Sequence, residues 1–157
     1  MNAKQAVVVG LFGWLTLVSS DFAMTGIVSL VSPNSTWGEL GFPATFIVVN
    51  VLNLSVGYGL FMISLFIPLQ YIELRRGKPK TARKQALIGA IVFGFAVPIF
   101  SVVSFDHFIG GGSFSSLLNE MSELWSVTGA VWLLSAMIAG AVTFALAARA
   151  NSRQPTA

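Results

Sequence analysis

The chain has 157 residues, of which 55% are hydrophobic and only 10% charged, and its mean hydropathy is +0.79. A water-soluble domain of this size carries about 25% charged residues, so the composition is that of a chain lying largely in lipid. The lack of cysteine excludes a disulfide framework, a thiolate metal site and a cysteine nucleophile, and the net charge of +3 must be judged by where the charges fall.

Four apolar segments follow in chain order, over residues 6–31, 43–72, 85–105 and 124–148. Each reaches the roughly 20 residues needed to cross a hydrocarbon core. They predict an all-α, integral membrane four-helix bundle of one domain with short loops. Ser32-Pro33-Asn34 ends the first segment, and Pro43 opens the second at a first-turn position where its missing N–H is harmless. The second segment is long, on the order of 45 Å as a helix, so it must tilt or project from the bilayer. Gly77 and Pro79 break the hydrophilic stretch 73–84, and Thr81 is placed to cap the third helix. Gly110-Gly111-Gly112-Ser113 marks a turn, and residues 117–125 read as a short interfacial helix or the start of the fourth span. The first twenty residues also have the outline of a signal peptide, but the apolar run continues well past the candidate cleavage site. Asn34-Ser35-Thr36 has the form of a glycosylation sequon.

The distribution of Lys and Arg predicts the orientation. Of nine basic residues, Lys4 precedes the first span, and Arg149 and Arg153 end the fourth. The other six are Arg75, Arg76, Lys78, Lys80, Arg83 and Lys84, all around the connector between the second and third spans. The remaining connectors carry only acids: Glu39, Asp106, Glu120 and Glu123. The positive-inside rule then puts both termini and the basic connector on the cytoplasmic side of a plasma membrane. Each of the six charges near an anionic leaflet is worth on the order of 1 kcal/mol, so contact with anionic lipid is their expected role. A nucleic-acid partner is not expected, because the stretch is short and holds no stacking aromatic.

Asp21 lies inside the first apolar run, with no basic residue near it along its own helix. An ionisable group at membrane depth costs roughly 2.5–3.5 kcal/mol and marks either a buried partner or a functional site. Counting from the span ends suggests a polar layer of Asp21, Asn50, Asn53, Ser101, Thr128 and Ser135. Asn50 and Asn53 are three residues apart and share a helix face. Pro98 frees a backbone carbonyl one turn earlier, a further acceptor for that layer. An asparagine amide and a hydroxyl then satisfy a neutral Asp21; the alternative is a proton- or cation-binding carboxyl in a wet cavity.

Ala90 with Gly94, Ala136 with Gly140, Gly57, Gly59, Gly10 and Gly13 mark expected helix contacts. Trp14 and Trp132 lie deep enough to pack between helices and need acceptors, whereas Trp37, Trp125 and Tyr71 suit the interfaces. Asp106-His107 is the one place where a histidine adjoins a carboxylate, and two ligands do not make a metal site. No cofactor motif is present, and one histidine and six acids leave little catalytic chemistry, so an enzyme is not expected. The chain is similar to small multidrug transporters in its size class and in bearing an acid on its first span. Their acid is a glutamate, and no further residue carries over. The expected class is a non-catalytic membrane component: an accessory subunit, assembly factor or immunity-type protein with a membrane-protein partner or a second copy of itself. The alternative is an oligomeric proton- or cation-coupled transporter or channel subunit centred on Asp21.

Overall fold

The computed structural model describes residues 3–31, 44–75, 81–103, 122 and 127–152. Helix α1 spans Ala3–Val31 and α2 spans Ala44–Phe61. A π-helical segment, Met62–Phe66, joins α2 directly to α3, Ile67–Arg75. Helices α4 (Ala82–Val102) and α5 (Val127–Ser152) complete the described chain. All these elements are helical, and four helices are long and apolar enough to cross a membrane: Lys4–Val28, Val51–Ile72, Ala82–Ser101 and Gly129–Ser152. The expected breakers at 32–34, 43, 77, 79 and 110–113 lie outside the described residues. So do the 34–36 sequon, Trp37, Asp106-His107, most of the 117–125 segment, and Trp125.

Helix ends follow capping and propensity rather than hydropathy. The third span begins at Ala82, not at residue 85, because Thr81 is extended and its side chain accepts from the Lys84 amide at 3.4 Å. Arg83 and Lys84 are thereby helical although hydrophilic. The fourth helix runs to Ser152 rather than ending at residue 148. Ala145, Ala147, Ala148 and Ala150 are strong helix formers, and Arg149 in the last turn suits the negative end of the helix dipole.

The helices pack by rows of residues spaced four apart, the ridges of a 3.6-residue helix. On α1 the buried row is Val9, Gly13, Leu17, Asp21 and Thr25. Helix α5 carries two adjacent rows. Val131, Ser135, Ala139 and Thr143 meet α1, where Thr143 reaches Gly13 and the Ser135 carbonyl lies 3.4 Å from Ser20 Oγ. Ala136, Gly140 and Phe144 meet α4 instead, with Gly140 crossing Gly89 backbone to backbone. On α4 the row is Gln85, Gly89, Phe93, Val97 and Ser101. Helix α2 closes the bundle by packing Leu54, Gly57, Tyr58 and Phe61 inward. Gly57 lies against Ser101, and the Phe61 and Phe93 rings meet edge to face at 4.4 Å. Small residues at these crossings allow the close approach that drives association in lipid.

The π segment has a local cause. Pro68 has no N–H to give the Ser64 carbonyl, and its ring crowds that carbonyl. The preceding turn widens, so that the Ile67 N–H bonds to the Met62 carbonyl. The extra residue rotates the buried stripe. Leu65 turns outward, while Phe66 and then Gln70 take the inward positions. Phe66 thereby reaches Phe144 of α5, with ring centroids 5.1 Å apart at 75°.

Candidate functional site

Asp21 is 3% exposed and points into the bundle from the inward row of α1. Its Oδ1 is buried and has no hydrogen-bond partner among the described residues. The hydroxyls nearest in the chain and across the α5 contact are engaged elsewhere. Ser20 Oγ sits 2.6 Å from the Thr16 carbonyl and 3.1 Å from that of Leu17, the back-bonding that serines adopt inside helices. Ser135 Oγ lies 3.7 Å from the Met24 sulfur. The expected amide and hydroxyl bonds to Asp21 are therefore not made at Oδ1 among the described residues.

About two to three turns toward the start of α1, at Trp14, Gly13 and Gly10, the polar side chains find partners. Trp14 Nε1 donates to Ser55 Oγ at 2.8 Å, as its depth required, and Ser55 Oγ itself donates to the Val51 carbonyl. Tyr58 OH donates to the Gly10 carbonyl at 2.6 Å. Thr143 Oγ1 donates to the Ala139 carbonyl at 2.7 Å. Gly13 is where these elements converge: a Cβ there would overlap both Thr143 Oγ1 and the Tyr58 hydroxyl. Glycine at this one position lets α1, α2 and α5 meet around a phenol.

The remaining residues of the expected layer are distributed. Asn53 is half-buried on α2, with its Oδ1 buried and unpartnered among the described residues. Ser101 is fully buried on α4 against Gly57, and Ser135 is fully buried on α5 beside Ser20 and Met24. Asn50 and Thr128 lie within helices, but their side chains are outside the described residues. No hydrogen bond among the described residues joins Asp21 to Asn53, Ser101 or Ser135. Of the basic residues, Arg83 and Lys84 are exposed on the first turn of α4. The side chain of Arg75 and all of Arg76, Lys78 and Lys80 lie outside the described residues. Of the expected contact glycines, Gly59 meets nothing within 4 Å, and on α4 it is Gly89, not its neighbour Ala90, that crosses Gly140.

A second polar group was not anticipated from the sequence. Gln70 on α3 and Gln85 on α4 are buried, and Asn151 on α5 is half-buried. Asn151 Nδ2 donates to Gln70 Oε1 at 3.2 Å, tying α3 to α5. Gln5, half-buried near the start of α1, adds a fourth amide at the same end. Each of the four spans thus carries one amide within a turn or so of the end beside residues 76–80. That recurrence was available in the sequence, but amides near span ends are easily passed over as boundary residues.

Chemically, a buried carboxyl with no second acid or base beside it among the described residues can hold a proton or accept a donor. Among the described residues no three acidic or imidazole groups converge to hold a metal. Comparison with protein-family models, characterised proteins and solved structures gives no match to this chain.

Proposed function

We propose that the protein is a non-catalytic component of a membrane assembly, acting through contacts between its outward helix faces and another membrane helix. The observation that carries this reading is the filled interior. Phe61, Phe66, Phe93 and Phe144 are wholly buried in one cluster, where Phe61 of α2 meets Phe93 of α4 and Phe66 of the π segment meets Phe144 of α5. A packed aromatic layer of this kind leaves a single bundle no continuous polar route along its axis, so function falls to its surfaces. The outward face of α1 offers the most varied of these, with Phe12 and Leu15 exposed beside Thr16 and Ser19. Insertion with both termini and the 73–84 stretch in the cytoplasm, against anionic lipid, belongs to the same proposal.

A second reading has its own support in Asp21. A buried carboxyl oxygen with no partner among the described residues fits a group that takes up a proton or cation during a transport cycle. Flux measurements separate the two. Purified protein in vesicles is expected to carry no proton or cation flux above empty vesicles, with or without Asp21→Asn. Flux that the unaltered chain supports and Asp21→Asn abolishes would overturn the component reading and establish the transporter.

A further inference from the structure

The amides and the aromatics follow the same order on three helices. Along α2 and α3 the sequence is Tyr58, then Phe61 and Phe66, then Gln70. Along α5 it is Ser135 and Thr143, then Phe144, then Asn151. Along α4, read from its end to its start, it is Ser101, Phe93 and Gln85. The bundle is therefore stratified: Asp21, Ser101 and Ser135 on one side, an aromatic stratum that the Tyr58 and Thr143 hydroxyls reach, then amides at the end where α3 stops and α4 starts. The aromatic stratum consists of two ring groups within one buried cluster: Tyr58 and Phe61 both edge-on to Phe93 at 5.3 and 4.4 Å, and Phe66 edge-on to Phe144.

The amide stratum is incompletely paired within the protein. The bond from Asn151 to Gln70 uses one donor and one acceptor. Gln70 Nε2 and Asn151 Oδ1 remain buried with no partner among the described residues. A buried donor or acceptor left bare loses its hydration without replacement and is destabilising. An adjacent free donor and free acceptor are both met by a species that accepts and donates, and water does so with two to four bonds per buried molecule. Asn151 is half-buried in the last turn of α5.

We infer that Gln70, Gln85 and Asn151 line a hydrated vestibule, a water-binding site at the end of the bundle beside residues 76–80, whose floor is the aromatic stratum of Phe61, Phe66, Phe93 and Phe144. Water reaches the amides from that end and stops at the rings, as at hydrophobic constrictions that exclude water in channels. Asp21, beyond the floor, exchanges with the opposite side only. The floor is the same aromatic layer that carries the proposed function: slow amide-level thiols overturn the vestibule alone, whereas a fast Ser135→Cys counts against both.

The chain has no cysteine, so single-cysteine variants carry one thiol each. Membrane vesicles are treated with a charged, impermeant thiol reagent on the face that labels Lys78→Cys. Thiols react as thiolates and need water, so Asn151→Cys and Gln70→Cys are expected to react within about tenfold of Lys78→Cys. Ser135→Cys is expected to react about 100-fold more slowly from that face. Helix content checks the folding of each variant, and Gln85→Cys replaces either amide variant that does not fold. The inference is overturned if either amide-level thiol is as slow as Ser135→Cys. It is equally overturned if Ser135→Cys matches the amide-level thiols while the rings are intact.

Discussion

Gly140→Ala is expected to destabilise the bundle by about 2–3 kcal/mol, a large effect for a single methyl group. The reason lies in the crossing of α4 and α5. A Cβ on Gly140 would overlap the carbonyl oxygen of Gly89 and the Cβ of Phe93, and a Cβ on Gly89 would overlap the Gly140 carbonyl in return. Backbone oxygen and Cβ atoms cannot rotate away as a side-chain end can, so the two helices must separate along their whole contact. Gly59→Ala is the matched control. That glycine has nothing within 4 Å, so the same methyl meets no obstacle. It removes the flexibility of a helix-interior glycine, a gain of up to about 1 kcal/mol. Unfolding titrations in mixed detergent micelles should therefore move in opposite directions for the two variants. Equal shifts would show that α4 and α5 do not cross at Gly89 and Gly140.

Phe144→Ala is expected to cost about 2–3 kcal/mol in the same assay, at or below the low end for buried aromatics in soluble cores. Its ring is about 1% exposed and packs edge-on to Phe66. In lipid the transfer of apolar surface from water contributes little, so the loss is mainly of packing contacts and the cavity left between helices. Phe144→Leu refills part of that cavity and should recover about half of the loss. Ile138→Ala, on the exposed side of the same helix, should stay within about 0.5 kcal/mol of the unaltered chain. An Ile138→Ala effect as large as that of Phe144→Ala would contradict the assignment of inward and outward faces on α5.

The four long apolar helices were legible because hydropathy reports the environment that a helix needs, and no packing knowledge is required to read it. Span ends were less so. The Thr81 cap was visible, yet Arg83 and Lys84 hid the first turn it starts, since their charge outweighs their helix propensity in any hydropathy reading. The π segment was illegible for a different reason. Pro68 sits in the second span, but whether a proline kinks a helix or is absorbed by a widened turn depends on its neighbours. Without that turn the inward positions of Phe66 and Gln70 could not be assigned, and with them went the aromatic stratum and the amide pair.

The polar interior was legible as a list of residue types rather than as a geometry. Trp14 was expected to need an acceptor and finds one in Ser55. Asp21 was expected to be buried and is, but none of the described members of the expected layer bonds to its Oδ1: Ser135 turns to Met24 and Ser101 packs against Gly57, while the Asn50 and Thr128 side chains lie outside the described residues. Tyr58 was passed over altogether. Its role depends on Gly13 and Thr143, contacts from two other helices that no spacing along α2 could indicate.

The central claim is that the four apolar helices cross a bilayer as two hairpins, with both termini beside the basic connector. Single cysteines at Lys78, Gly111 and Gln154, labelled in intact cells with an impermeant maleimide, test it most directly. The account predicts that Gly111→Cys is labelled, and that Lys78→Cys and Gln154→Cys are labelled only after the membrane is opened. Labelling of Lys78→Cys in intact cells, or of Lys78→Cys and Gly111→Cys from the same side, would contradict it.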